Sequence, residues 1–143
     1  KEEWIVQKAV SSADLTWLLD ELIARTNDTR HGIVLSSDGL LLAASRDLST
    51  VDAEHLSAVA AGIQALAASA SKKFKGGNVR QTIVDMEHGY LLVTVAGQGA
   101  CLALLCGPAA DVGLVAYEMA LMVTRVGHLL TSPTRATAPR HVG

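Results

Sequence analysis

Residues 79–106 read V-R-Q-T-I-V-D-M-E-H-G-Y-L-L-V-T-V-A-G-Q-G-A-C-L-A-L-L-C. Three strand-like runs, Val79–Met86, Tyr90–Ala96 and Ala100–Cys106, are separated only by Glu87-His88-Gly89 and Gly97-Gln98-Gly99. Links that short join antiparallel neighbours, because a parallel return needs a crossover of a dozen or more residues. Ala100–Cys106 is apolar at every position and Leu91–Ala96 nearly so. A strand without polar alternation has to be covered on both faces. The stretch therefore predicts a three-strand meander in a sheet with helices on each side.

Upstream, Val51–Phe74 reads as a long helix ending at Gly76-Gly77, with Lys72, Lys73 and Lys75 near the negative end of its dipole. Before it, His31–Ser36 and Leu40–Ser45 flank Asp38-Gly39, a strong hairpin signal. Ser11-Ser12-Ala13-Asp14 opens a first helix in capping-box style, and Leu15, Leu18, Leu19, Leu22 and Ile23 give it one apolar stripe before Asn27-Asp28. Downstream, Asp111 is placed to cap a last helix, Val112–Leu130. The order α-β-β-α-β-β-β-α predicts an α/β fold. It is a three-layer α/β/α sandwich around a five-stranded antiparallel sheet, two helices on one face and one on the other. Residues 1–10 read as an N-terminal extension, 11–131 as the domain, and 132–143, with Pro133 and Pro139, as a disordered tail.

At 143 residues, 50% hydrophobic and 18% charged, the chain suits one domain with a real core. Residues 12–131 carry eight Lys/Arg against twelve Asp/Glu, and the chain has two Trp, two Tyr and one Phe. An acidic body without an aromatic ladder argues against nucleic acid. The longest apolar run, Val112–Val123, is interrupted by Glu118 and falls short of the ~20 residues a bilayer span needs. The first ten residues do not read as a signal peptide. Cys101 and Cys106, five apart in one strand, point to opposite faces and cannot bridge each other. They read as small core residues in a reducing cytoplasm.

Chemistry is sparse. No G-x-x-x-x-G-K-[ST] loop occurs, and Gly97 and Gly99 lie between strands rather than before a helix that would hold pyrophosphate. His31, His55, His88, His128 and His141 show no i, i+4 ligand spacing, so no metal and no cofactor are expected. Ser36-Ser37-Asp38-Gly39 is explained by the turn it makes. Glu118 and Arg125 share a face of the last helix, as a solvated stripe or a partner contact. No catalytic residue emerges, and the chain is not expected to be an enzyme.

The long helix carries the most functional information. At 100° per residue, Leu56, Val59, Ile63, Leu66, Ala70 and Phe74 form the stripe expected to face the sheet. The opposite side then carries Glu54, Ala58, Ala61, Ala65, Ala68, Ser69 and Lys72, with Gly62 flanking it. Small side chains let another backbone approach, so this strip reads as a contact surface. Val79–Met86 falls at an edge of the sheet, guarded at most by Arg80 and Asp85. Pairing with its twin across a two-fold axis removes the open edge. A homodimer with a continuous sheet is expected, with Val79, Gln81 and Ile83 at the joint and the two Ala-rich helices side by side.

The element order, V-L-S-S-D-G-L-L-L-A-A-S (34–45), A-E-H-L-S-A-V-A-A-G-I-Q-A-L-A (53–67), G-G-N-V-R-Q-T-I-V-D-M (76–86) and D-V-G-L-V-A-Y-E-M-A-L-M-V (111–123) together resemble the roadblock family (dynein light chain roadblock-type), especially its actinobacterial members. The resemblance covers roughly residues 11–131. It implies a roadblock/profilin-like homodimer with a ten-stranded joint sheet formed through the third strand and second helix. It also implies a non-catalytic regulator or scaffold of a small Ras-like GTPase in a bacterial signalling complex, with a sensor-kinase-like protein as a further partner. The setting implied is cytoplasmic, reaching the membrane only through partners. In the polarity-control members the paired second helices dock the GTPase and can stimulate hydrolysis. By position, the docking strip here is Glu54, Ala58, Ala61, Ala65 and Ser69. No arginine in this helix serves as an inserted finger, so any stimulation works through the partner's switch loops. The alternative is a PAS- or GAF-like small-ligand sensor, which needs an internal pocket.

Overall fold

A computed structural model describes residues 12–97 and 99–137. The expected extension 1–10, Ser11 of the capping pattern, Gln98 and the final part of the expected tail, 138–143, lie outside the described residues. The elements are α1 (Ser12–Arg25), β1 (Thr29–Ser36), β2 (Leu41–Ala44), α2 (Thr50–Phe74), β3 (Gln81–Met86), β4 (Gly89–Gly97), β5 (Ala100–Cys106) and α3 (Val112–Thr137). The sheet is antiparallel throughout, in the order β2-β1-β5-β4-β3. The entirely apolar β5 lies at its centre, and β2 and β3 form the two edges.

Strand parity divides the core into two halves. Val34, Leu92, Leu102, Leu104 and Cys106 face one layer, where Leu15, Leu19 and Leu22 of α1 meet Val115, Met119 and Met122 of α3. Ile33, Leu35, Leu91, Val93, Cys101 and Ala103 face the other, beneath Ala53, Leu56 and Ala60 of α2. The two cysteines are free, buried and on opposite faces, as their spacing requires.

Local chemistry explains the element ends. Gly39 supplies the left-handed φ of 92° that the β1–β2 turn needs. Ser49 caps α2 by accepting the Asp52 N–H at 3.1 Å. Asp111 caps α3, its Oδ1 accepting the Leu114 N–H at 3.2 Å. Several boundaries differ from the sequence reading by a residue or two, and three differences bear on the ends of α2, β3 and α3. The left-handed cap of α2 is Lys75, at φ 59°, one residue before the glycines. The edge strand starts at Gln81 rather than Val79. Helix α3 runs on to Thr137 rather than stopping at Leu130, taking in 132–137 of the expected tail. Pro133, inside this range, has no main-chain N–H to give to the carbonyl of residue 129.

Glu118 and Arg125 each pair with a residue of α1. Arg25 of α1 reaches Glu118 at 3.3 Å, and Arg125 reaches Glu21 at 3.4 Å, so the pair ties α3 to α1. Each bridge is part-exposed and contributes at most about 1 kcal/mol.

Candidate protein interaction surface

The two edges of the sheet are treated differently. Strand β2 is four residues long, and its register against β1 is interrupted between Val34 and Leu35. The Ser45 N–H bonds Gly32 O at 2.8 Å, so by alternation Ala44 turns its carbonyl away from the sheet. That carbonyl is taken by the Thr16 hydroxyl of α1 at 3.0 Å. Asp20 of α1 accepts the Arg46 N–H at 3.0 Å and faces the Arg46 guanidinium at 3.7 Å. Helix α1 thus closes this edge to further strands.

Strand β3 is six residues long and pairs with β4 without a register shift, from Gln81↔Thr94 to Met86↔Gly89. The Val95 N–H bonds Arg80 O at 3.2 Å. By the antiparallel alternation, Thr82, Val84 and Met86 bond inward to β4, while Gln81, Ile83 and Asp85 turn their N–H and C=O groups outward. Side chains alternate as well. Gln81, Ile83 and Asp85 lie on the α1/α3 face, where the Gln81 amide donates to Thr94 Oγ1 at 3.0 Å. Thr82, Val84 and Met86 lie on the α2 face. Arg80 and Asp85, the expected guards, are exposed and do not break the strand.

Helix α2 is rotated from its expected setting. Ala53, Leu56, Ser57 and Ala60 are buried against the sheet. Of the stripe expected there, Val59 is 37% exposed, Leu66 75% and Phe74 79%, Ala70 is exposed, and Ile63 is half-buried. The physical reason lies at the β1–β2 turn. The Ser57 hydroxyl donates to Gly39 O at 2.8 Å, and a Cβ at Gly39 would stand 3.4 Å from that of Ala61. Only small side chains fit beneath the helix there, so the larger ones swing to its other flank. Since Ala61 faces the β1–β2 end of the sheet, the apolar flank faces the β3 end.

The residues singled out from the sequence therefore fall in three places. Glu54, Ala58, Gly62, Ala65 and Ser69 are exposed along the outer side of α2. Ala61 is half-buried against the turn. Gln81 and Ile83 lie on the β3 edge, which no other described residue covers, and Val79 is half-buried just ahead of the strand. Sequence reading missed the exposed flank of Val59, Leu66 and Phe74. Its spacing was visible, but its side of the helix was assigned to the core.

Ser36, Asp38 and the two cysteines have local structural explanations. The Ser36 hydroxyl donates to the Asp38 carboxylate and holds it below the usual carboxylate range, closing the turn. Burial pushes both cysteine thiols up, so the nucleophilic thiolate is scarce at pH 8 and grows only as pH rises toward the shifted values. In the native protein both should react with a disulfide reagent at pH 8 at least about 100-fold more slowly than in the unfolded chain. Fast native labelling of either thiol would contradict that placement. Among the described residues, no helix is long and apolar enough to cross a membrane.

Comparison with known proteins bears on this arrangement. The family model for the Roadblock/LC7 domain matches residues 15–106. A solved Roadblock/LC7 domain from Streptomyces avermitilis is 36% identical and superposes with a TM-score of 0.76, covering 85% of this chain and 98% of that one. An uncharacterized protein of Methanocaldococcus jannaschii is 30% identical over 105 residues, 71% of this chain and 90% of its own. MglB of Myxococcus xanthus, at 16% identity, shares the fold, with a TM-score of 0.74 over 84% of this chain and 97% of that one. With the strand order, the layering and the matched span in agreement, the chain belongs to the Roadblock/LC7 domain family.

Proposed function

We propose that the protein is a homodimeric, non-catalytic regulator or scaffold that binds a small Ras-like GTPase. The observation that carries the dimer is the asymmetry of the sheet. One edge is closed by α1, whereas the other, among the described residues, offers unpaired main-chain groups beside the exposed flank of Val59, Leu66 and Phe74. A second copy covers both features at once and joins the sheets. The outer strip of Glu54, Ala58, Gly62, Ala65 and Ser69 then remains free on both protomers as the docking ground for the GTPase. Supporting the GTPase reading is the family resemblance, and a sensor-kinase-like protein is the further partner it carries. Modulation then acts by holding or reshaping the partner's loops.

The test is a pull-down with the purified dimer against candidate small GTPases in their GDP and GTP states, paired with single-turnover hydrolysis. Ala58→Arg with Ala65→Glu places long charged side chains on the strip without touching the buried face of α2. This variant should lose GTPase binding by about 10-fold or more, as for central interface positions, while keeping its helix content and self-association. Unchanged binding would remove the strip from the docking site.

A further inference from the structure

We infer that the far end of α2 and the approach to β3 form a docking site for an anionic phospholipid surface, with Lys72, Lys73, Lys75 and Arg80 as its cations. The site stands apart from the contacts proposed above and does not depend on them. Charge is unevenly distributed along the chain. From His55 to Val84 there is no Asp or Glu, and these four cations all fall in that stretch. Elsewhere in residues 12–131, four arginines stand against twelve carboxylates. Each of those arginines is ion-paired: Arg25 with Glu118, Arg30 with Asp28, Arg46 with Asp20 and Arg125 with Glu21. Among the described residues, none of the four cations at the end of α2 has an ion-pair partner, and all four are exposed.

The helix dipole accounts for only part of this cluster. Lys72 and Lys73 lie in the last turn, where a cation is favoured. Lys75 is the left-handed cap, and Arg80 lies further on, just ahead of β3 and beyond the reach of the dipole. The fold brings them to one corner. The Gly76 N–H bonds Ser71 O at 2.8 Å, and the Ser71 hydroxyl donates to Gly77 O, which turns the chain back against the helix end. Between helix end and strand lies an open notch of about 700 Å³, with Ser71, Asn78 and Arg80 in its wall. A phosphate headgroup fits a notch of that size.

The kind of cation favours a lipid surface over an acidic protein. Lysine is a hydrated point charge on a flexible stem, whereas recognition of individual carboxylates favours the fixed fork of arginine. Three lysines crowning a helix end suit a diffuse plane of negative charge. The acidic remainder of the domain is repelled by the same plane, which turns this corner toward it. Contact of this kind needs no membrane-crossing helix.

The test is co-sedimentation of the full chain with phosphatidylcholine vesicles containing about one-third phosphatidylglycerol. Wild-type protein should bind these vesicles and not phosphatidylcholine alone, and binding should fall steeply between about 0.05 and about 0.5 M salt. Lys72→Gln with Lys75→Gln should weaken binding about 10-fold or more, since each cation near an anionic surface contributes roughly fivefold. Arg30→Gln with Arg46→Gln removes the same charge elsewhere and should leave binding within about twofold of wild type. Circular dichroism checks that both variants fold. Wild-type protein that ignores the anionic vesicles overturns the proposal, and retention on an acidic polypeptide instead would assign the corner to a protein partner. Equal losses in the two variants would show that net charge, not this corner, does the binding. Displacement from the vesicles by inorganic phosphate, beyond that by chloride at matched ionic strength, would assign the notch to a soluble phosphate and overturn the lipid.

Discussion

Ile83→Asp combined with Leu66→Asp should convert the protein into a folded monomer. Both side chains already meet water in the isolated chain, Ile83 at 45% and Leu66 at 75% exposure. Charging them therefore changes the fold's own stability little, since exposed substitutions usually stay within about 0.5 kcal/mol. In the proposed dimer both lie in the contact, and its two-fold axis counts each substitution twice. Burying a Leu or Ile side chain is worth about 1.5–3 kcal/mol. Losing even one such contact on each protomer weakens association by about 3–6 kcal/mol, or roughly 10²–10⁴-fold. Four new carboxylates near the axis add repulsion. Sedimentation equilibrium reads the loss, and far-UV circular dichroism checks that the fold persists. A variant still dimeric at micromolar concentration would place self-association elsewhere.

Leu104→Ala should produce the largest loss of stability from a single change. Leu104 is fully buried on β5 and lies opposite Gly32 of β1 and Leu92 of β4. A Cβ built on Gly32 would come within 2.6 Å of Leu104 Cδ2, so this leucine fills the space that the glycine leaves. Removing it costs about 2–5 kcal/mol as lost burial plus cavity, and lowers the thermal midpoint by about 6–20 °C for a domain of this size. Gly32→Ala alone should destabilise by about 1–3 kcal/mol through overpacking. The double variant should then be more stable than the sum of the two losses implies, because the added methyl occupies part of the cavity. Strict additivity in thermal or urea unfolding would show that the two positions do not share space.

The β1–β2 turn shows where sequence reading ended. Asp38-Gly39 announced a hairpin, and the hairpin formed. What the turn does to α2 was not legible, because it depends on Ser57 and Ala61 meeting Gly39 across eighteen and more residues of chain. The guarding of β2 was hidden for the same reason. Thr16 and Asp20 look like ordinary helix residues until their long-range partners Ala44 and Arg46 are in place. The edge position of β3, by contrast, followed from the short links of the meander, and the alternation of its outward groups followed from the register.

By itself, then, the chain's sequence determined the order of the elements, the antiparallel meander, the two-sided burial of β5 and the opposite faces of Cys101 and Cys106. These rest on turn chemistry and on side-chain alternation, which act over a few residues. Only the tertiary structure decided the rotation of α2 and the closing of the β2 edge by α1. The larger apolar side chains of α2 do share one face, but contacts of Ser57 and Ala61 with Gly39, distant in the chain, chose the side that meets the sheet.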